Sequence, residues 1–147
     1  MRIRVGAMIL QDDRILSLTY HYPSGTVHAL PGGNWETGET LASCLVRELA
    51  EELGLQIQVG DLRYLGEMTQ PDQETPTLHI IFQAEILAGS PQLDPEHTTA
   101  ASFTWLPLTQ LDKALLYPAI NEAILQDHAE DTPGARYLGS CNRTLWA

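Results

Sequence analysis

Basic residues are scarce: 8 Lys plus Arg stand against 19 Asp plus Glu, a formal net charge of -11. A protein that follows a nucleic-acid backbone needs the opposite balance, so no nucleic-acid partner is expected. A small phosphorylated ligand stays compatible, because a bound divalent cation can supply the missing positive charge. Cysteine is nearly absent as well. Cys44 and Cys141 are far apart and lack a Cys-x-x-Cys or Cys/His companion, which argues against a disulfide framework and a zinc site. No apolar run approaches the roughly 20 residues of a membrane helix. The opening Met1 to Gly6 has neither the basic region nor the apolar stretch of a signal peptide. The expectation is a soluble, cytoplasmic protein with no membrane partner.

What is present suits one domain over residues 1–147, with 44% hydrophobic and 18% charged residues. Ile3, Val5, Ala7 and Ile9 alternate with Arg2, Arg4, Gly6 and Met8, the period of a strand. Asp12-Asp13 signals a turn, and Ile15 to Tyr20 resumes a strand, so these two segments are expected to pair as a hairpin. A loop at Tyr22 to Gly25, a short apolar return at Val27 to Leu30 and a polar loop from Pro31 to Glu39 follow. Further strands are expected at Leu55 to Val59, Leu62 to Met68, Leu78 to Ile86 and Ala101 to Trp105, and a second helix at Pro118 to Gln126. Residues 128–147 form a C-terminal tail to which no structure is assigned from Arg136 onward. The fold class is α+β.

Thr40 to Leu53 is free of Gly and Pro, rich in Ala, Leu and Glu, and followed by Gly54 where a capping glycine belongs. At about 100° per residue, Leu41, Ala42, Leu45, Val46, Leu49 and Leu53 share an apolar arc. Glu48 and Glu52 are four apart on one side, with Glu51 beside them and Glu52 pressed against the apolar edge. Carboxylates so crowded repel one another, and a partly buried one is costly. A divalent cation relieves both penalties, and Mg²⁺ is the oxygen-seeking ion that binds few carboxylates and leaves room for phosphate. The plain alternative for such acids is a solvated helix face.

The spacing runs Gly33, five residues, Glu39, seven residues, then Arg47-Glu48-Leu49-x-Glu51-Glu52-x-Gly54-Leu55. This resembles the full Nudix box, G-x5-E-x7-R-E-U-x-E-E-x-G-U with U aliphatic, at every fixed position. The approach Leu30-Pro31-Gly32-Gly33-x-x-Glu36-x-Gly38 is also similar to that family. The resemblance implies an α/β/α sandwich around a mixed sheet and Mg²⁺-dependent phosphoanhydride hydrolysis, with Mn²⁺ as an alternative ion. It implies Glu48 and Glu52 as principal metal ligands, Glu51 as a further one and the Gly32 carbonyl as the last. Glu39 and Arg47 would form an ion pair tying loop to helix, against the simpler pairing of Arg47 with Glu51. Gly33 and Gly38 would permit the tight loop, and Glu36 has no assigned role. The proton acceptor would be a box glutamate, Glu51 or Glu52, or the loop residue Glu96; for Glu96 a solvated loop acid is the alternative. A homodimer is compatible with the family.

The box leaves the leaving group open. Pro71 lies 16 residues after Leu55, where prolines mark ADP-ribose-type members of the family, although ordinary turn chemistry also explains it. The expected substrate is a nucleoside-diphosphate-linked compound. The alternatives are a nucleoside triphosphate pyrophosphatase and a non-catalytic nucleotide-binding module. No substrate-binding residue is assigned; Tyr20, Tyr22, Phe82 and Trp105 are the candidate stacking aromatics, with Phe82 and Trp105 expected in the core. His79, on the opposite strand face from Phe82, is expected to be exposed, with lining a site as the alternative, and Cys44 to be a small packed residue, with a redox-sensitive thiol as the alternative.

Overall fold

A computed structural model describes residues 1–69 and 74–141. Pro71 lies outside the described residues. The first strand, β1 (Arg2–Met8), is followed by the two-residue β2 (Leu10–Gln11), β3 (Arg14–Tyr22), β4 (Gly25–Ala29) and β5 (Gly32–Asn34). Helix α1 (Leu41–Leu53) leads into the long β6 (Gln56–Met68), β7 (Thr77–Ala88) and β8 (Ser102–Pro107). A 3-10 turn at Leu108–Gln110 precedes β9 (Leu115–Tyr117), helix α2 (Asn121–Glu130) and β10 (Arg136–Ser140). Among the described residues the strands form two five-stranded sheets, one ordered β10-β6-β7-β1-β5, the other β2-β3-β4-β9 with β8 on β3. Both are mixed: β1 runs parallel to β7, β10 to β6 and β4 to β9, and the other pairs are antiparallel. The α+β class is the one expected.

The expected hairpin between the first two strand segments is not made by β1. Asp12 and Asp13 both take positive φ, 52° and 59°, and turn β2 back onto β3 in the register Leu10 to Ile15 and Gln11 to Arg14. Two successive left-handed residues suit the twist of a two-residue hairpin loop. β1 itself enters the other sheet between β7 and β5. The two strands expected at Leu55 to Val59 and Leu62 to Met68 are one, because irregularities in register between Val59 and Tyr64 carry β6 through Gly60 and Asp61. Part of the segment expected as loop after Pro31 is β5, an edge strand on β1.

Two apolar clusters cover the sheets. One joins α1 (Leu45, Leu49, Leu53) to Val5, Ala7, Leu16 and Leu18, with Phe82 and Trp105 packed against it as expected. The other joins Ile120, Ala123 and Ile124 to Met8, Tyr64, Ile81 and Leu116. Val46, placed on the apolar arc by periodicity, is 41% exposed at the edge of that arc. The second helix begins at Asn121, later than its expected start at Pro118, because Ile120 has a non-helical backbone (φ -118°, ψ 21°). It continues to Glu130, where Asp131 closes it in the left-handed region. Among the described residues no helix is long and apolar enough to cross a membrane.

Asp127 explains how β10 is held to the rest of the domain. Its carboxylate is buried and accepts hydrogen bonds from Tyr64 Oη (2.8 Å) and Arg136 Nε (3.3 Å). Arg136 Nη2 reaches its second oxygen at 3.0 Å, and Arg63 lies 3.7 Å away. One carboxylate thus fastens α2, β6 and β10. Asp127→Ala strands two guanidinium groups against a buried face and should cost about 3–5 kcal/mol in denaturant unfolding. Hydrogen exchange should show β10 losing protection before β1 and β7.

Candidate active site

Helix α1 is started and stopped by its own sequence. Thr40 Oγ1 accepts from Ser43 N at 3.0 Å, and Ser43 Oγ accepts from Thr40 N at 3.0 Å, a reciprocal cap. Gly54 ends it at φ 65°, its N–H returning to Ala50 O. The N-terminal loop is held by the next turn. Arg47 donates from Nε to Glu39 Oε2 (2.7 Å) and from Nη2 to Glu39 Oε1 (2.9 Å), a two-pronged pair. Its Nη1 also reaches Glu48 Oε1 at 3.0 Å and Glu51 Oε2 at 3.3 Å. Arg47 therefore pairs with the loop and with its i+4 neighbour at once. Its hydrogen bonds hold the Glu39 carboxyl below its ordinary range. Glu36 stands 3.9 Å from the same guanidinium.

Glu52 is 6% exposed and accepts a hydrogen bond from the Gly32 amide at 3.0 Å. Burial pushes its pKa up to about 7, against the opposing pull of Arg4 and of that amide. Burial also raises Glu48, which Arg47 partly offsets. The loop comes this close because it lacks side chains: a Cβ on Gly32 would meet the Val5 carbonyl, and one on Gly33 the Glu48 carboxylate. Glu48, Glu51, Glu52 and the Gly32 carbonyl supply oxygen donors of the type a hard cation takes. Among the described residues no group of three or more acidic, His or Cys side chains stands as a finished ligand set. The Arg47 guanidinium lies against Glu48 and Glu51. The donor chemistry fits Mg²⁺, because desolvated carboxylates are short of positive charge.

Glu96 lies on a loop fastened to the end of α1. Gln92 N donates to Leu53 O (3.0 Å) and Asp94 N to Glu52 O (3.1 Å). Asp94 Oδ1 then accepts from Glu96 N at 3.0 Å, and Asp94 Oδ2 pairs with His97 Nδ1 at 2.9 Å. The Glu96 side chain is exposed. Cys44 is buried, its thiol donating to Asn34 O at 3.5 Å, and burial pushes its pKa up to about 11. That is the environment of an inert packed thiol.

His79 corrects the expectation of exposure: it is 1% exposed. The parity argument fails because β7 is covered on both faces, with Ile80 and Ile81 buried alike. The His79 ring meets Tyr117 edge-on at 5.0 Å between centroids, and Arg4 lies over the Tyr117 ring at 5.3 Å. Both His79 ring nitrogens and Arg4 Nη1 are buried and have no hydrogen-bond partner among the described residues. Such atoms cost on the order of 1–3 kcal/mol each. Burial and the nearby Arg4 lower His79 to about 3, so the ring is neutral at pH 7. No short motif marks Arg4, His79 and Tyr117; they meet only through strand pairing.

Helix α1 brings its buried Glu52 against the glycine-bearing edge strand β5. The chain belongs to the NUDIX family, whose domain model matches residues 1–127. It is 30% identical over 119 residues to an NAD-capped RNA hydrolase NudC of Photorhabdus laumondii, covering 81% of this chain and 44% of that protein. It is 34% identical over 90 residues to an ADP-ribose pyrophosphatase of Methanocaldococcus jannaschii, covering 59% of this chain and 52% of that protein. The chain thus spans about half the length of these curated relatives. The solution structure of the E. coli ORF135 protein shares the fold, with TM-score 0.69, 23% identity and coverage of 91% and 95% of the two chains.

His79 also generates a stability test. Its folded pKa lies below the ordinary 6.5, so the unfolded chain takes up the proton first. Stability contributed by the neutral ring is complete above about pH 6.5 and falls as pH drops toward about 3, by up to about 1.4 kcal/mol per pH unit. His79→Phe should flatten the pH dependence of unfolding free energy across that window and leave other acid transitions in place.

Proposed function

We propose that the chain is a Mg²⁺-dependent pyrophosphohydrolase that splits the phosphoanhydride of a nucleoside-diphosphate-linked compound. The observation that carries this reading is the buried Glu52 carboxylate, held by the Gly32 amide beside Glu48. Glu48, Glu51, Glu52 and the Gly32 carbonyl would hold the ion; Mn²⁺ could replace Mg²⁺ there. When bound, the ion neutralises diphosphate charge and lowers the pKa of water. Arg47 keeps the carboxylate face and the preceding loop in fixed relation through Glu39. Glu96 is the proposed acceptor of the attacking water's proton, on a loop whose anchor is the Glu52 backbone. Glu51 and Glu52 are the alternative acceptors within the helix.

ADP-ribose or a compound like it is the favoured substrate. The names of two relatives point to NAD-capped RNA and to ADP-ribose, and both contain a diphosphate between two ribose-bearing halves. A net charge of -11 disfavours grip on an RNA backbone, which leaves the small diphosphate as the better reading. Hydrolysis of nucleoside triphosphates to monophosphate and pyrophosphate is the second reading, and a non-catalytic module the third.

A substrate panel with Mg²⁺ tests this. The expected products from ADP-ribose are AMP and ribose 5-phosphate, with no turnover when a chelator is present. Glu52→Gln should lower turnover on the order of 10²–10³-fold, and retained metal-dependent activity would remove the carboxylate site from the mechanism. Glu96→Gln should cost about 100-fold; near-normal turnover rejects it as the base.

A further inference from the structure

The loop that carries Glu96 is docked on the end of α1 before the chain reaches that residue. Gly89 enters it with φ 94°, so close to the helix stop that a Cβ there would meet Gly54 O at 2.8 Å. Leu93 packs against the core cluster that includes Leu49 and Leu53, and Ala100 does so again where the loop leaves. Between these anchors stands Asp94. Its N–H donates to Glu52 O at 3.1 Å, and its carbonyl accepts from His97 N (2.9 Å) and Thr98 N (3.0 Å). Its Oδ1 accepts from Glu96 N at 3.0 Å, and its Oδ2 pairs with His97 Nδ1 at 2.9 Å. Two hydrogen bonds through one residue therefore refer Glu96 to Glu52.

We propose that Asp94 is the positioning residue for the proton acceptor Glu96, setting where its carboxylate stands relative to the carboxylate face of α1. This rests on the hydrolase reading above, with Glu96 as the base. A base must come within hydrogen-bond reach of the attacking water, and a misplacement of about 1 Å can cost on the order of 10²-fold in rate. The Glu96 side chain is exposed, so the fold aims it chiefly through its backbone. The turn itself closes on the Asp94 carbonyl; the bond from the Glu96 amide to the Asp94 side chain is additional and falls on the one residue that needs aiming. His97 completes the arrangement by pairing with the other Asp94 oxygen, which fixes the plane of that carboxylate. Its bond with Asp94 raises the His97 pKa, and the charges of Glu51 and Glu96 add to this, so the turn lies on the carboxylate side of the helix.

The test compares wild type, Asp94→Ala, Asp94→Asn, Glu96→Gln and the Asp94→Ala/Glu96→Gln double variant. Two readouts are taken: Mg²⁺-dependent turnover of the panel compound that wild type hydrolyses fastest, and amide hydrogen exchange of the metal-free proteins. Asp94→Ala should lower kcat about tenfold at nearly unchanged KM. Asp94→Asn, whose Oδ1 still accepts from the Glu96 amide, should recover most of that loss. In the Glu96→Gln background Asp94→Ala should cost nothing further, because it acts through the carboxylate already removed. The Glu96 amide should exchange about fivefold faster in Asp94→Ala, the factor carried by one ordinary hydrogen bond, and keep its rate in Asp94→Asn. A merely structural role lowers kcat by the same factor in both backgrounds, and that result overturns the proposal. So do a full-rate Asp94→Ala, an Asp94→Asn as slow as Asp94→Ala, or loss of exchange protection along α1, which would make Asp94 a prop for the helix. These outcomes leave the hydrolase reading standing. Full turnover by Glu96→Gln removes the base and its positioning residue together, with the metal site untouched, and a wild type without metal-dependent turnover sinks the hydrolase reading itself along with the proposal.

Discussion

The hydrogen bond from the Gly32 amide to the buried Glu52 carboxylate joins the two halves of the site. It links the last turn of α1 to the edge strand β5, and β5 lies against β1 only because Gly32 presents no Cβ to the Val5 carbonyl. A side chain at Gly32 would push the strand away from the sheet, and one at Gly33 would push Glu48 off its position. The constraint is steric first and electrostatic second. Close approach of bare backbone lets a carboxylate be buried with an amide partner, and burial then raises its pKa to about 7.

Positive charge around this site is unevenly committed. Arg47 reaches Glu39, Glu48 and Glu51, and its hydrogen bonds with Glu39 raise its own pKa further. Arg4 is different: it stabilises the charged form of Glu52 from a distance, and one of its nitrogens has no partner among the described residues. The first arginine holds the scaffold of the site together. The second lies over the Tyr117 ring and reaches Leu30 O, tying β1 to the segment that leads into Gly32.

Much of this was legible in the sequence because it is local. Helix α1 carries its cap at Thr40, its stop at Gly54 and its acids at fixed spacing, and the structure matches its limits to one residue. β7 was equally plain from alternation. What could not be read depends on distant partners. β5 has three residues and no apolar pattern, and exists because β1 offers it an edge. β10 is polar and is held by Asp127 and β6. The turn at Asp12-Asp13 was legible, but not that the strand before it would divide between two sheets. His79 was misplaced for a related reason: alternation assigns one wet face to a strand, and β7 has none at that level.

The same distinction explains why reaction and substrate are written so differently in the chain. Hydrolysis of a phosphoanhydride needs acids at fixed mutual positions, and one helix supplies that geometry within a few consecutive turns. Reading a base needs donors, acceptors and a flat wall facing one another across a gap, which no single element provides.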